Sequence, residues 1–570
     1  MGSLGEIVFA SRTKEKAFRD PETIITAQTL NDVLPALERV HEFVDDGKWA
    51  AGFVSYEAAP AFDAALECHA PSDAPLAWFG IYDALSTLDP KPGTFTVSEW
   101  EPALTRDEYR THVKRIHDYI AAGDTYQVNY TFPMHASFNG DAYAWFRDLR
   151  AAQQADYCAY LDTGRFKIVC VSPEQFFSLK DGMLRTRPMK GTRVRGRWLE
   201  EDERLAEELL LSEKDRAENV MIVDLLRNDM GRISETGSVH VEQLFAVERY
   251  PTVWQMTSRI ASRTRANVHA VLRALFPSGS VTGAPKVRTM QLLSELEQYP
   301  RGVYCGAIGW IAPAGNAAFN VAIRCATIDG RSGVAEYPVG SGITWDSKPE
   351  SEFAECLSKA AVLTRGPEAF DLFESILYDK GFFLLDEHLA RLQRSARYFG
   401  IRVDSAEIRK ALEASVPRGP AVPQKVRVFV NHAGQVRVEL QEAGKTSPVR
   451  VGLARKFTPS TNIHLFHKTT QRTAYDQARA TRPDCDDVIL WNERGEITES
   501  SVANVVVEID GKLVTPPVSS GLLAGTFRGH MLQHGVIREG VLEKSDLRRA
   551  KGIFLINSVR RWVTARLVDR

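Results

Sequence analysis

No stretch of this sequence runs to eighteen consecutive apolar residues, so nothing in it is long enough to cross a bilayer as a helix. Neither sign of charge predominates: 71 Lys and Arg stand against 73 Asp and Glu, a net −2 that leaves no cationic excess to hold nucleic acid or an anionic membrane. Cysteine is scarce, with seven residues at positions 68, 158, 170, 305, 325, 356 and 485. None shares a C-x-x-C spacing, which excludes a zinc ribbon or a dithiol redox centre and predicts reduced, buried thiols. The start, MGSLGEIVFASRTKEKAF, has no apolar core of signal-peptide length. These absences predict a cytoplasmic chain acting on small molecules, with neither nucleic acid nor membrane as partner.

What is present is a long mixed chain. Its 570 residues exceed one ordinary domain. Strand-like apolar runs such as FKIVCVSP alternate with helical periodicity, as in EDERLAEELLLSEKDRAENVMIVDLLRND, and predict an α+β or α/β class with one or two helices over 200–230. A Gly-Pro step in TRGPEA marks a boundary between a domain at 1–365 and another at 366–570. The Pro-rich stretch 414–425 is expected to separate two lobes of the second domain, with KVRVFVN and QVRVEL forming a hairpin beyond it.

Several residues of the first domain carry chemistry. In TRPMKGTRVRG, Lys190 sits between a Pro-Met step and a Gly-Thr turn with three arginines nearby; held rigidly among like charges, it would have the lowered pKa that a nucleophilic amine needs. Carboxylates inside apolar helices, Glu218 in AENVMIVDLL and Glu352 and Glu355 in SEFAECLSKA, require a cation or a metal. Glu355 with Lys359 four residues on also reads as an ordinary exposed helix pair. Glu218 and Glu355 together suit Mg²⁺, which takes one or two carboxylates plus waters and substrate oxygens. SGSVTGAPK and VGSGI are glycine-rich turns fit for an anion, and Arg324 is read as a charge on a strand.

Taken together, DTYQVNYT, SPEQFF, RTRPMKGTR, ENVMIVDLLRNDMGR, SGSVTGAPK, RGVYCGAIGW and GSGITWDSKPESEFAECLSKA resemble the chorismate-utilising enzymes over about residues 50–363, in that family's order and approximate spacing. The resemblance implies a β-sheet sandwich with helices outside, chorismate as substrate, and Mg²⁺ carried by Glu218 and Glu355. It also implies substrate contacts from Gln127, Thr282, Tyr304, Arg324, Gly340, Gly342 and Lys359. Anthranilate synthases of this family resemble P-[ILM]-A-G-T where this chain has PMKGT, and lysine there is similar to the aminodeoxychorismate synthases. That implies attack by Lys190 on C2 of chorismate with Glu174 as general acid, then ammonia adding at C4. Gln127 stands where water-using members resemble a lysine base, and glutamine cannot deprotonate water. Gln255 stands where many relatives carry histidine, and no role is assigned to it. No nucleophilic-elbow cysteine with a downstream His-x-Glu is visible, so ammonia is expected from solution or from a separate glutamine amidotransferase subunit.

In the second domain, Lys468 in HKTTQRTAYDQAR, Glu499 in GEITESSVANVVV and the small-residue turn SGLLAGTFRGHML supply an amine, a carboxylate and a helix N-terminus. Pyridoxal phosphate requires that trio. With FESILYDKGFFLLDEHLARLQRSARYFGI, the region resembles the two-lobed fold-type IV pyridoxal-phosphate enzymes. The resemblance implies Lys468 as the cofactor-bearing lysine and proton carrier, Glu499 on the ring nitrogen, phosphate contacts from Arg391, Gly525 and Thr526, and a homodimer through this domain. Ser501, Asn504 and Ser558 are plausible neighbours. Lyases and transaminases share these residues. The fusion favours a bifunctional enzyme that aminates chorismate and then eliminates pyruvate to give 4-aminobenzoate, a folate precursor. The alternatives are an anthranilate-type synthase joined to an aminotransferase, and an inactive scaffold that recruits a glutaminase.

Overall fold

The computed structural model describes residues 4–87, 92–363, 370–416, 422–444 and 447–568. The chain divides into two compact units, Met1–Val194 with Ala206–Glu368, and Arg195–Leu205 with Ala369–Arg570. The boundary expected at 365/366 falls within 364–369, outside the described residues. Segment 195–205, expected in the first domain, packs instead with the second unit.

In the first unit two ten-stranded sheets face each other. Period-two alternation builds the stack. Along Trp49–Val54, Ala51 and Phe53 enter the cluster between the sheets, while Ala50 and Val54 enter the cluster beneath the outer helices. Along Phe166–Ser172, Ile168 and Cys170 point inward and Val169 and Val171 outward. Both faces are covered, which explains why FKIVCVSP reads as an unbroken apolar run. Helices Leu30–Asp45 and Val268–Leu275 cover one sheet, and Arg106–Ala121, Ala142–Gln153 and Pro349–Ala360 cover the other. The 200–230 region forms two helices, Leu199–Leu211 and Glu213–Gly231.

The second unit contains a three-stranded sheet and an eight-stranded one. Strands Gln424–Val430 and Val436–Glu442 form the expected hairpin, but Leu372–Tyr378 pairs with the first of them. The strands on either side of the 414–425 stretch, of which 417–421 lie outside the described residues, therefore share one sheet, and the change of sheet comes between Glu442 and Val449. Ladder pairing between strands on either side of the proline-rich stretch overrides its boundary-like composition. None of the seven cysteines forms a disulfide; five are buried, and Cys68 and Cys485 are partly exposed.

Candidate active sites

Lys190 owes its direction to an irregularity in a sheet. Strand Met189–Val194 pairs with Val253–Arg263 so that Met189 faces Thr257 and Thr192 faces Gln255. Lys190 and Gly191 therefore share one opposing residue, Met256, in a β-bulge, a device that re-aims a side chain. Gly191 has φ +93°, a conformation that costs little only without a Cβ. Gln255, unassigned from the sequence, fixes the bulge: its Nε2 donates to the Gly191 carbonyl at 2.9 Å, and Thr192 Oγ1 donates to its Oε1 at 3.0 Å.

The bulge faces a cavity of about 400 Å³ that Lys190 lines with Glu174, Glu218, Tyr304, Arg324 and Lys359. Gly340 and Gly342, which lie in the strand Val334–Ile343 and not in a turn as VGSGI suggested, line it with Ser280, Glu352 and Glu355. Gly342 leaves room for the amine, because a Cβ there would stand 3.0 Å from Lys190 Nζ and 2.4 Å from Gln127 Nε2. Burial is the largest influence on Lys190 and lowers its pKa; Glu218 opposes the shift and Lys359 adds to it. The neighbouring arginines are not among the main causes: Arg187 pairs with Glu248, Arg195 with Asp202, and Arg193, which lines the cavity, lies 3.9 Å from Asp215 on the same wall. Glu174 is buried, and burial pushes its carboxyl up to about 7 against a hydrogen bond from Ser280 and the charge of Lys190. Protonated near neutrality, it can act as an acid.

The carboxylates arrive from two helices. Glu218 is raised by burial against the charges of Lys190 and Lys214. Glu355 pairs with Lys359 at 2.8 Å, so the ordinary helix pair exists, yet both residues line the cavity and Lys359 Nζ also donates to the Gly340 carbonyl at 2.8 Å. Burial acts to raise Glu355, but Lys359 outweighs it and leaves the pKa lowered. Three expectations need correction. Arg324 is not on a strand; it occupies the connection before Cys325–Asp329 at φ +51°, donating to Gln153 Oε1 at 2.8 Å. Thr282 does not line the cavity, since its hydroxyl closes its own turn on the Ser278 carbonyl at 3.2 Å and leaves Ser280 and Val281 to form the wall. Gln127 is buried behind that wall, its Oε1 without a partner. Lys214 lines the cavity unanticipated, although its place one turn before Glu218 in the helical pattern could have indicated it.

In the second unit a cavity of about 580 Å³ is lined by Lys468, Glu499, Arg391, Asn504, Gly525 and Thr526. Ser501 and Ser558 also line it. Burial lowers the Lys468 amine to about 7, helped by Arg391 and Arg472 and opposed by Glu374. Glu499 accepts from Tyr475 Oη at 2.7 Å, the Leu523 amide at 3.1 Å and Asn504 Nδ2 at 3.3 Å, and burial raises it to about 7. Gly525 caps the helix Thr526–Gln533, and a Cβ there would fall 2.0 Å from Asn504 Oδ1. Arg391 commits Nε and Nη2 to Glu374 at 2.8 and 2.6 Å, and Nη1 to the Ala524 carbonyl at 3.1 Å. Tyr475, Arg472, Lys425, Arg427 and Arg560 were not anticipated, because strand and helix patterns do not show which cations turn toward a cavity.

The chain belongs to the chorismate binding enzyme family, which matches residues 4–365, and residues 371–568 match amino-transferase class IV. It is 41% identical over 293 residues to aminodeoxychorismate synthase component 1 of Bacillus subtilis, an overlap of 51% of this chain and 62% of that protein. It is 42% identical over 271 residues to anthranilate synthase component 1 of Aquifex aeolicus, covering 47% of this chain and 54% of that protein. The chain thus spans less than two thirds of the length of each. The structure resembles that of anthranilate synthase component I from Streptococcus pneumoniae, with TM-score 0.53 and 26% identity over 64% of this chain and 93% of that one.

The donor sets suit the groups these families imply. Among the described residues no three acidic, His or Cys side chains converge into a closed metal cage. Mg²⁺ needs no such cage, and Glu218 and Glu355 open into one cavity with space for water and substrate oxygens. Pyridoxal phosphate matches a half-buried amine, a buried carboxylate and a helix N-terminus on a single cavity.

Proposed function

We propose that the chain makes 4-aminobenzoate in two steps: amination of chorismate at C4 in the first unit, then elimination of pyruvate in the second. The observation that carries the reading is Lys190, a half-buried amine of lowered pKa aimed by a bulge into the cavity that Glu174 lines. Overall identity does not choose between the synthases, at 41% and 42%.

In the first unit the Lys190 amine bonds to C2 of chorismate as the C4 hydroxyl departs, taking the Glu174 proton and leaving as water. Ammonia then bonds to C4, the Lys190–C2 bond breaks, and 4-amino-4-deoxychorismate results. Ammonia comes from a separate glutamine amidotransferase. Arg324 and Lys359 hold the substrate carboxylates, and Mg²⁺ on Glu218 and Glu355 would neutralise further carboxylate charge.

In the second unit Lys468 removes the C4 proton of that product; the C3–oxygen bond breaks, pyruvate leaves and the ring becomes aromatic. When bound, pyridoxal phosphate supplies an electron sink for the C4 carbanion. Glu499 would hold the ring nitrogen and so favour that sink, and Gly525 and Thr526 at the helix N-terminus would hold the phosphate. The test is incubation with chorismate, ammonia, Mg²⁺ and pyridoxal phosphate, followed by identification of the products. 4-Aminobenzoate with equimolar pyruvate is expected; an ortho isomer or a keto-acid product would contradict the assignment.

A further inference from the structure

One group of charges on the second cavity is not used by the steps above. Lys425 and Arg427 are alternate residues of the strand Gln424–Val430, so both point to one face. They line the cavity with Arg560 from the turn after Gly552–Asn557. Arg427 lies against the rings of Phe373 and Phe429, at 5.2 and 4.8 Å, and its nearest carboxylate, Glu439, is 3.7 Å away. Its buried Nε has no hydrogen-bond partner. Among the described residues neither Lys425 nor Arg560 forms an ion pair, and Glu442 is the carboxylate lining this part of the wall.

Three cations gathered on a half-buried surface repel one another unless anions join them, and among the described residues Arg427 alone of the three has a carboxylate, Glu439, at ion-pairing distance. Lys425 records this, its pKa lowered by burial first and then by Arg427 and Arg560. These charges are distinct from those acting on Lys468, which are Arg391 and Arg472. The phosphate turn and this group therefore form two separate cationic regions of one cavity.

We propose that Lys425, Arg427 and Arg560 form a carboxylate-binding subsite, so that the second unit selects an amine carrying carboxylates remote from its nitrogen. The inference rests on the reading of this cavity as a pyridoxal-phosphate site and specifies its substrate class. 4-Amino-4-deoxychorismate, with two carboxylates, is such an amine, and its anions would draw on charge-assisted bonds that a neutral amine cannot make.

The test uses the full chain loaded with pyridoxal phosphate. Rapid-mixing titrations follow the absorbance of the bound cofactor with 4-amino-4-deoxychorismate and, in parallel, with cyclohexylamine, which carries no carboxylate. The K425M/R427M variant should raise half-saturation for the dicarboxylate on the order of tenfold or more, equivalent to about 1.4 kcal/mol, while cyclohexylamine binding and cofactor content stay unchanged. R560Q, at a turn, serves as a second variant with the same expected direction. Equal loss with both amines, no loss with either, or loss of cofactor would overturn the subsite; the last outcome would place the phosphate there. If the wild type prefers the dicarboxylate but releases no pyruvate, the subsite stands and the elimination reading falls. A chain that takes up no pyridoxal phosphate overturns both.

Discussion

A lysine and a glutamate with converging acidities define the first site. The proposed amination requires Lys190 to lose a proton and Glu174 to keep one, and burial drives both in that direction, Glu174 up to about 7. Replacing Lys190 by Ala should lower amination by about 10³-fold or more in steady-state assays, while leaving the cofactor content of the second unit unchanged. Glu174→Gln should cost ~10²–10⁴-fold in kcat. The wild type should also lose activity as pH rises through about 7, where Glu174 deprotonates, and a pH–rate profile checks whether that limb disappears in the variant. The identity of these residues was legible in PMKGT and SPEQFF. The cause of the lysine's lowered pKa was not, because Arg187 and Arg195 pair away from the cavity, Arg193 faces Asp215, and the burial arises from strands and helices far along the chain.

Elements carry the geometry that residue lists omit. The mixed class and the helices over 200–230 were readable from apolar runs and three-to-four spacing, whereas the sandwich with outer helices came from the family resemblance alone. The bulge at Lys190–Gly191 was not readable, because it depends on the register against Val253–Arg263, set by a partner about sixty residues away in sequence. For the same reason Gln255 was left without a role. Gly191→Ala, forced to φ +93°, should cost about 1–2 kcal/mol in a melting measurement. Gln255→Ala should leave Tm nearly unchanged yet reduce kcat, because it frees the bulge carbonyl and lets the amine wander.

For the molecule as a whole, two units bearing two cavities predict separable losses. Lys468→Ala should accumulate 4-amino-4-deoxychorismate, which chromatography detects, whereas Lys190→Ala should form neither intermediate nor product. The second unit also carries its own acid sensitivity. Glu374 is buried; burial acts to raise its carboxyl, but Arg391 and His388 outweigh this and hold it at about 2. A carboxyl depressed in the folded state contributes stability above its unfolded pKa, near 4.5, and loses it as pH falls toward 2; the contribution is about 3 kcal/mol. Unfolding followed by bound-cofactor absorbance should show that loss across this window, and Glu374→Gln should flatten it. The division into two units was visible in composition; the passage of 195–205 into the second unit was not, because local sequence does not reveal which core a short segment joins.

The most direct test is intact and peptide mass analysis of the chain after acid quenching with chorismate and Mg²⁺ in the absence of ammonia. A covalent increment equal to chorismate less water, confined to the peptide containing Lys190 and discharged on adding ammonia, is the predicted result. Full conversion to 4-amino-4-deoxychorismate by the Lys190→Ala variant, or an increment on another residue, would contradict it.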